Sequence, residues 1–501
     1  MTKAFAQSFL CIALLIDGIS VHADENTSDT IGTHSRPSEW RLGLENVKLP
    51  NDNSVGLLGA SYLFHDPSSH FSIGPAVYGA VTGGHGGLFT LGGETSWRQP
   101  LTSHTDVEAG LYVGGGGGHA APVGGGLMLR PHIDLMWNWG GMRTGVSVSR
   151  VDFPSGTIRS NQVGLIVAFD DHFLYTGSEL VGQQQSLSER AGVGFDRIAI
   201  TATTYRPSKS STTATDASQS IGLAGIRAEQ QQPNGMFWGL EAAGAGKGSA
   251  SGYAEVLGTL GWETPILTKD LHVGIRGALG AGGGGSVSVG SGLLSKVGLY
   301  SRYELSHLFY LGLEGGYVAA PTHDFRAPYG MLSVGMTLDH PSKNSSENTL
   351  ATVHGWEWSS SLEHYVSAAR KEEAAHSLET LGIKVQRVVD NSPFYLTGQA
   401  QSAYAGGAGA YSVGLVGIGA QSPSNRIGLS LGGELLAGVA GGGGVNTQGG
   451  AIVQPMGYTS LDITKNWRVK LGVGKVESIH SGLNSTVVDV SLSYRFGLPS
   501  R

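Results

Sequence analysis

The sequence predicts an all-β protein, a transmembrane antiparallel β-barrel. Three observations predict it: apolar and polar residues alternate with a period of two, the chain repeats itself internally, and glycine is unusually frequent. Glycine supplies 80 of the 501 residues and only 14% of the residues are charged, whereas ordinary domains hold roughly 7% glycine and about 25% charged residues. Glycine-rich strands provide few side chains for a packed soluble core, but in hydrocarbon every backbone group must be paired, which enforces a closed barrel.

The composition excludes several other classes of protein. A single cysteine excludes a disulfide scaffold, and clustered glycines exclude a collagen repeat. The net charge of -7 argues against a nucleic-acid partner. The longest apolar run, Phe9 to Ile16, is too short for a membrane helix, which needs about 18 residues or more. Any membrane crossing must therefore use strands. The histidines are scattered, so we expect no metal, and no sequence motif predicts a cofactor.

The N-terminus has the features of a secretory signal peptide. A short positive region at Lys3 precedes the apolar run, and Val21-His22-Ala23 forms a small-residue cleavage site. We therefore predict a signal peptide over residues 1–23. Residues 24–37 then form a short periplasmic N-terminal segment.

Three segments of the chain follow the same pattern. They end in similar strand-like runs, Val163 to Asp170, Leu332 to Asp339 and Val490 to Gly497. Upstream of these runs, each segment contains an early cluster of small residues and a later glycine run. The predicted repeats span 38–170, 191–339 and 355–497, with linkers at 171–190 and 340–354 and a C-terminal tail at 498–501.

Each repeat is predicted to contain about eight strands, which gives about 24 in total. That number leaves about 20 residues for each strand and its turn, and a membrane-spanning strand needs about 9–11. We expect a single wide barrel, because small residues such as Gly164, Ala168 and Gly335 would leave voids in a narrow eight-stranded cylinder. The alternative is three tandem eight-stranded barrels.

The leader and the final strand, Val488 to Phe496, together resemble those of bacterial outer-membrane β-barrel proteins. In that class the last strand alternates and ends in an aromatic residue that the barrel-assembly machinery recognises. The resemblance implies that Val490, Leu492, Tyr494 and Phe496 form this assembly signal. It also implies a multi-pass location in the outer membrane of a Gram-negative bacterium, with lipid and lipopolysaccharide as partners.

The function predicted first is a porin-like channel or export pore for a solute or polymer that the sequence does not identify. Asp489, Ser491, Ser493 and Arg495 alternate with the apolar residues of the last strand and are the candidate lumen-facing residues. The alternative is a non-conducting structural protein of the envelope or an adhesin. A third hypothesis is a lipid-modifying hydrolase, because His480 and Ser481, with Glu477 nearby, resemble an arrangement in small lipid A deacylases. We predict that the protein is not an enzyme.

The glycine runs define a candidate rim at the outer ends of the strands. Glycine there either supplies tight turns or allows a ligand or chain to approach the backbone closely. The predicted rim residues are Gly114, Gly116, Gly118, Gly282, Gly284, Gly441 and Gly443.

Overall fold

The computed structural model describes residues 32–50, 53–118, 121–187, 189–207, 220–340, 349–390 and 392–501. The predicted signal peptide, and residues 24–31 of the segment that follows it, lie outside the described residues. Within the described part of the chain, no helix is long and apolar enough to cross a membrane.

The first eight strands close into an antiparallel barrel, which we call the first ring. Each strand pairs with the next, and the first pairs with the eighth from Thr33↔Thr176 to Glu45↔Gly164. The strands are β1 (Thr33–Lys48), β2 (Ser54–His65), β3 (Phe71–Thr82), β4 (Phe89–Pro100), β5 (Thr105–Gly117), β6 (Met128–Asn138), β7 (Met142–Asp152) and β8 (Arg159–Thr176).

A short connection leads to a second closed barrel, the second ring. The connection contains a 3-10 turn (Ser178–Leu180) and the strand β9 (Gln184–Leu187). The second ring closes by pairing its first strand with its last. Its strands are β10 (Arg197–Tyr205), β11 (Ile221–Gln231), β12 (Met236–Lys247), β13 (Ala254–Pro265), β14 (Leu271–Gly283), β15 (Leu293–Glu304), β16 (Phe309–Ala319) and β17 (Arg326–Thr337).

The last eight strands form the third ring, which closes through β18 and β25. A bridge between Gly497 of β25 and Thr176 of β8 joins this ring to the first ring in one 17-stranded sheet, to which β9 adds by pairing with β18. The strands are β18 (Thr349–Ala368), β19 (His376–Val388), β20 (Phe394–Ala405), β21 (Ser412–Gln421), β22 (Leu429–Gly441), β23 (Ala451–Asp462), β24 (Trp467–Ser478) and β25 (Asn484–Ser500).

The prediction of one wide barrel of about 24 strands is wrong. The described residues form 25 strands. In each ring the first strand pairs with the eighth, so each ring closes with eight strands. The alternative of three separate barrels in tandem also needs correction. Strands of the first and third rings belong to one hydrogen-bonded sheet, whereas the second ring forms a sheet of its own.

Large side chains on neighbouring strands fill the space that the small residues were expected to leave empty. A Cβ atom on Gly335 would lie 2.0 Å from Cζ of Tyr310, which covers that glycine from the adjacent strand. A Cβ atom on Gly164 would lie 2.9 Å from the carbonyl oxygen of Leu44. Space beside such small residues is therefore occupied by neighbouring strands within a narrow cylinder.

Strands also extend into segments that the sequence assigned to connections and ends. Residues 33–37 belong to β1, residues 171–176 belong to β8, and residues 349–354 belong to β18. The predicted tail at 498–501 continues β25 through Ser500. These extensions have partners across the sheet, and that pairing lets them continue as strands beyond the membrane-crossing length.

The outward face of the rings is an apolar belt. Because successive side chains of a strand point to opposite faces of the sheet, every second residue faces outward and the residues between them face inward. Exposed outward residues include Leu42, Leu44, Ile133, Val146, Val148, Val163 and Leu165 in the first ring, Ile200, Leu260, Leu299 and Leu313 in the second, and Ile418, Leu431, Leu471 and Val473 in the third. Aromatic residues lie exposed near strand ends, among them Trp97, Trp137, Trp262 and Tyr303. This surface matches the lipid-facing wall of a transmembrane barrel.

Candidate functional site

The inward face of each ring has a charged layer and an apolar layer, stacked along the barrel axis. We call the end at which β1 leads into β2, and its counterparts in the other rings, the outer end; the opposite end is the periplasmic end of the predicted orientation. Charged side chains occupy the half of the interior towards the periplasmic end, and apolar residues occupy the other half. The interiors are therefore the first place to look for a function.

In the first ring, two carboxylates are shared among three arginines. Arg41 Nη2 lies 2.9 Å from Glu39 Oε1, and Arg41 also pairs with Glu108. Arg98 lies 2.9 Å from both carboxylates, and Arg143 Nη1 lies 2.5 Å from Glu108 Oε1. All of them except Arg98 are almost fully buried. Because charges removed from water are costly unless paired, each member of this network depends on the others.

The second ring repeats this arrangement with different residues. Glu229 lies between Arg197 at 3.0 Å and Arg276 at 2.5 Å. Glu263 lies between Arg197 at 3.0 Å and Arg302 at 2.8 Å. The shared carboxylates therefore connect β10, β11, β13, β14 and β15 inside the ring.

The third ring uses fewer charges and more amides. Lys384 Nζ lies 2.8 Å from Glu434 Oε2. A second buried carboxylate, Glu363, accepts hydrogen bonds from the side-chain amides of Gln399 at 3.1 Å and Gln454 at 3.0 Å. Neutral donors therefore replace several of the guanidinium groups found in the other rings.

The apolar layer closes the outer half of each interior. Its buried members are side chains at most 7% exposed, which pack as one large cluster in each ring. In the first ring, Tyr78 and Tyr112 form the centre of this layer, with ring centroids 4.8 Å apart. This packing fits an eight-stranded cylinder, whose interior is just wide enough for side chains to fill it.

Three of the four predicted lumen residues face the interior of the third ring. Asp489, Ser491 and Ser493 are buried there. Ser491 Oγ donates to Asp489 Oδ2 at 2.5 Å, and the hydroxyl oxygens of Ser493 and Ser359 lie 2.8 Å apart. Arg495 lies at the periplasmic mouth, where its Nη2 donates to the carbonyl oxygen of Lys465 at 2.7 Å. A role for these residues in lining an open lumen stays a prediction.

The predicted assembly residues lie on the opposite face of the same strand. Val490, Leu492 and Tyr494 are half-buried, and Phe496 is buried in an aromatic cluster between the first and third rings. The Phe496 ring centroid lies 5.7 Å from that of Phe173 in the first ring. Phe496 therefore contributes to the contact between rings, and its recognition by assembly machinery stays a prediction.

Glycine hairpins bring the backbones of neighbouring rings into contact. Between the first and second rings, Gly86 N donates to the carbonyl oxygen of Gly290 at 2.8 Å. A Cβ atom on Gly87 would lie 2.3 Å from Gly284 N, a distance that a real side chain cannot occupy. Glycine is needed here because the two hairpins touch through their main chains.

The same kind of contact recurs at the other two junctions. Between the second and third rings, a Cβ atom on Gly441 would lie 2.4 Å from Gly252 N. Between the third and first rings, Gly409 N donates to the carbonyl oxygen of Gly124 at 3.2 Å. Each ring thus uses the hairpin between its third and fourth strands against the hairpin between the fifth and sixth strands of another ring. The three contacts close a circle.

The seven predicted rim glycines are divided among three environments. Gly114 and Gly282 face the interior of their own rings, where an added Cβ would meet Tyr112 and Leu294. Gly284 and Gly441 lie at ring-to-ring contacts, and Gly116, Gly118 and Gly443 have positive φ and lie against the backbone of their own rings. A ligand at this rim stays a prediction.

The residues of the hydrolase hypothesis do not form a catalytic arrangement with one another. Ser481 Oγ donates to Gln448 Oε1 at 3.3 Å. Glu477 pairs with Lys475 on the same strand.

The first ring also contains an acid–imidazole–hydroxyl chain that no sequence motif indicated. Ser72 Oγ lies 2.5 Å from His65 Nδ1, and His65 Nε2 lies 3.2 Å from Glu39 Oε2. This order of groups can activate a hydroxyl as a nucleophile, but Ser72 is only 2% exposed, so no substrate reaches its Oγ in this structure. The three residues come from three strands, and no local motif could have indicated them. Among the described residues, no group of three or more His, Cys, Asp or Glu could hold a metal ion.

Comparisons with known proteins give structural likenesses only. No family model and no curated protein matches the chain. Pseudomonas aeruginosa OccK11 (OpdR) is similar at 10% identity and a TM-score of 0.22, covering 93% of this chain and 96% of that one. The siderophore receptor PirA of the same organism is similar at 10% identity and a TM-score of 0.26, covering 94% and 81%. TM-scores this low do not indicate a shared arrangement of strands.

The structure itself confirms the predicted resemblance to outer-membrane β-barrel proteins at the level of architecture. The described strands form closed antiparallel barrels with an apolar outer wall. Closure without free edges and an apolar belt are the two features that a spanning β structure requires.

Proposed function

We propose that the chain is a bacterial outer-membrane protein whose barrels are closed to passive diffusion. It serves the envelope as a non-conducting structural protein or adhesin. The observation that carries this proposal is the apolar layer in the outer half of each ring. A solute that crossed the ring would have to pass both this layer and the buried charged layer below it. A lumen wide enough for solutes would leave its wall side chains exposed to water, whereas these are buried.

The membrane placement rests on the belt of exposed apolar residues around the rings. Side chains such as Leu165 at 66% and Val163 at 64% exposure would be unfavourable over so large an area in water. The mature chain is therefore expected to require detergent or lipid. If the purified protein stayed folded and monodisperse in plain buffer, the membrane placement would be wrong.

Solute passage, the function predicted first from the sequence, is the second candidate. The charged side chains in the periplasmic half of each ring favour it, because a purely structural interior needs no ion pairs. Passage would require the ion pairs to exchange partners and the apolar layer to open.

Single-channel recording in planar bilayers distinguishes the two candidates. We expect no nanosiemens-scale steps from the reconstituted mature chain. The double variant Tyr78→Ala/Tyr112→Ala removes the centre of the first ring's apolar layer, and we expect it to show brief, small openings. Leu111→Ala, on the outward face of the same strand as Tyr112, is the matched control and should stay silent. Stable nanosiemens-scale steps from the unmodified protein would show that the rings are open conduits.

A further inference from the structure

The outer rim of the first ring carries a compact group of exposed cations. Lys48, Arg150 and Arg159 come from β1, β7 and β8, which are neighbours where the ring closes. Arg150 pairs in register with Asn161, two residues along β8 from Arg159. The backbone N–H of Lys48 donates to Ser160 Oγ at 2.9 Å. The three side chains therefore share one patch, which we call the cationic rim patch.

This patch lies directly above the apolar belt. Along the same three strands, the outward files continue towards the membrane centre with Leu44, Val148, Val146, Val163 and Leu165, all exposed. A molecule that contacts both surfaces must therefore have an anionic group joined to hydrocarbon. Lipids of the outer leaflet have that form.

The cations of the patch are available for a ligand. Arg150 Nη2 and Arg159 Nε each lie 3.6 Å from the carboxylate of Asp152, and both arginine side chains are at least half exposed. Surface ion pairs of this length are weak and exchange readily. Among the described side chains, the two arginines share the carboxylate of Asp152 and Lys48 adds a further positive charge, so cations outnumber carboxylates in this patch. Arginine side chains can hold phosphate through two parallel hydrogen bonds.

The other two rings carry exposed cations at this level in different positions. In the second ring, Arg206 and Arg326 are exposed at the corresponding strand ends, and Tyr317 stands in the position of Arg150. In the third ring, Lys475 is paired with Glu477.

We propose that the cationic rim patch binds the phosphate groups of a phosphorylated glycolipid of the outer leaflet, of the lipopolysaccharide class. The site rests on the proposed membrane placement. It does not depend on whether the rings conduct. Phosphates bind Lys48, Arg150 and Arg159, while the acyl chains lie along the apolar files below.

Native mass spectrometry of the detergent-solubilised mature chain, titrated with diphosphoryl lipid A, tests this site. We expect Arg150→Gln/Arg159→Gln to weaken binding about tenfold or more, since each cation near an anionic lipid surface contributes on the order of a fivefold gain. Lys475→Gln, on the third ring, should stay within about twofold of the unmodified protein. The single variant Arg159→Gln should give an intermediate loss.

Two further titrations show whether the patch recognises the phosphate groups as part of the lipid. Dephosphorylated lipid A should bind at least about tenfold more weakly than the diphosphoryl form, and inorganic phosphate at equal concentration should displace none of it. Equal binding by the double variant, or equal binding of the dephosphorylated lipid, would overturn the proposal. Displacement by inorganic phosphate would also overturn it, since the patch would then be a general anion site. Conductance steps in the bilayer recording would contradict the proposal that the rings are closed, but they would not contradict the proposed lipid-binding site.

Discussion

The first and third rings have the same eight-stranded frame and share one sheet, yet they distribute charge differently. In the first ring, arginines and carboxylates share partners in a network that includes Glu39, Arg41 and Arg143. In the third ring, Glu363 is held by two amides. The outer ends differ as well: Lys48, Arg150 and Arg159 form one exposed patch on the first ring, whereas Lys475 on the third ring is paired with Glu477. The same barrel frame therefore accommodates interiors of different charge.

The largest expected effect comes from removing a shared charge in the first ring. Glu39→Gln leaves Arg41, Arg98 and Arg143 with one carboxylate fewer, and we expect it to lower the free energy of unfolding by about 3–5 kcal/mol. Glu363→Gln in the third ring should cost less than about 1.5 kcal/mol, because its partners are neutral amides. Urea unfolding in detergent micelles measures both. Equal losses would show that the two interiors do not differ in the way described.

The next largest effect concerns the aromatic contact between the two rings. Phe496→Ala removes a buried ring that packs against Phe173 and Trp358, and we expect a loss of about 3 kcal/mol. Phe394→Ala, at an outward position 57% exposed on the third ring, is the control and should change stability little. The same unfolding measurement applies. A stability loss confined to Phe394→Ala would contradict the assignment of Phe496 to the ring contact.

A smaller effect is expected at the glycine contact between the third and first rings. A side chain on Gly409 would meet the carbonyl oxygen of Gly124 at 2.7 Å, so Gly409→Val should lower stability by about 1–3 kcal/mol. Gly414→Val is the matched control, since nothing lies within 4 Å of its added Cβ. Heat-induced mobility shifts on gels follow both variants. If the mobility of both variants shifted at the same temperature, the conformational preference of glycine, and not its contact with the backbone of the first ring, would explain why position 409 is a glycine.

The smallest effect is expected on the rim of the third ring. Lys475 and Glu477 are both largely exposed, so Lys475→Gln should change the free energy of unfolding by less than about 1 kcal/mol. Unfolding in detergent at low and moderate salt measures it. A loss that grew at low salt to several kcal/mol would mean that this pair is part of a larger network.

Local pattern was enough to predict the strands and the outward belt. Alternation identified the file of Val163 and Leu165 as one face of a strand, and the structure exposes both residues. The same alternation identified Asp489, Ser491 and Ser493 as the opposite face of the last strand, and these residues are buried inside the third ring. A period of two follows from the geometry of an extended backbone, so it can be read without knowing which strands are neighbours.

Strand partners and ion-pair partners could not be predicted in this way. The choice of a wide barrel assumed that Gly335 borders empty space, but Tyr310 from the adjacent strand covers it. The pairing of Arg41 with Asp134 joins residues 93 positions apart. Neither partner is indicated by its own neighbourhood in the sequence, because side chains that meet across a cylinder are set by register and by closure.

By itself the sequence determined the class of structure, an all-β protein in which one face of each strand is apolar and small glycines cluster near the strand ends. Only the tertiary structure decided where the sheet closes, which rings touch through those glycines, and that the interiors are filled. The physical reason is that hydrophobicity and backbone freedom are properties of single residues. Closure of a barrel depends instead on which distant strands pair by hydrogen bonds and on which large side chains lie opposite small ones.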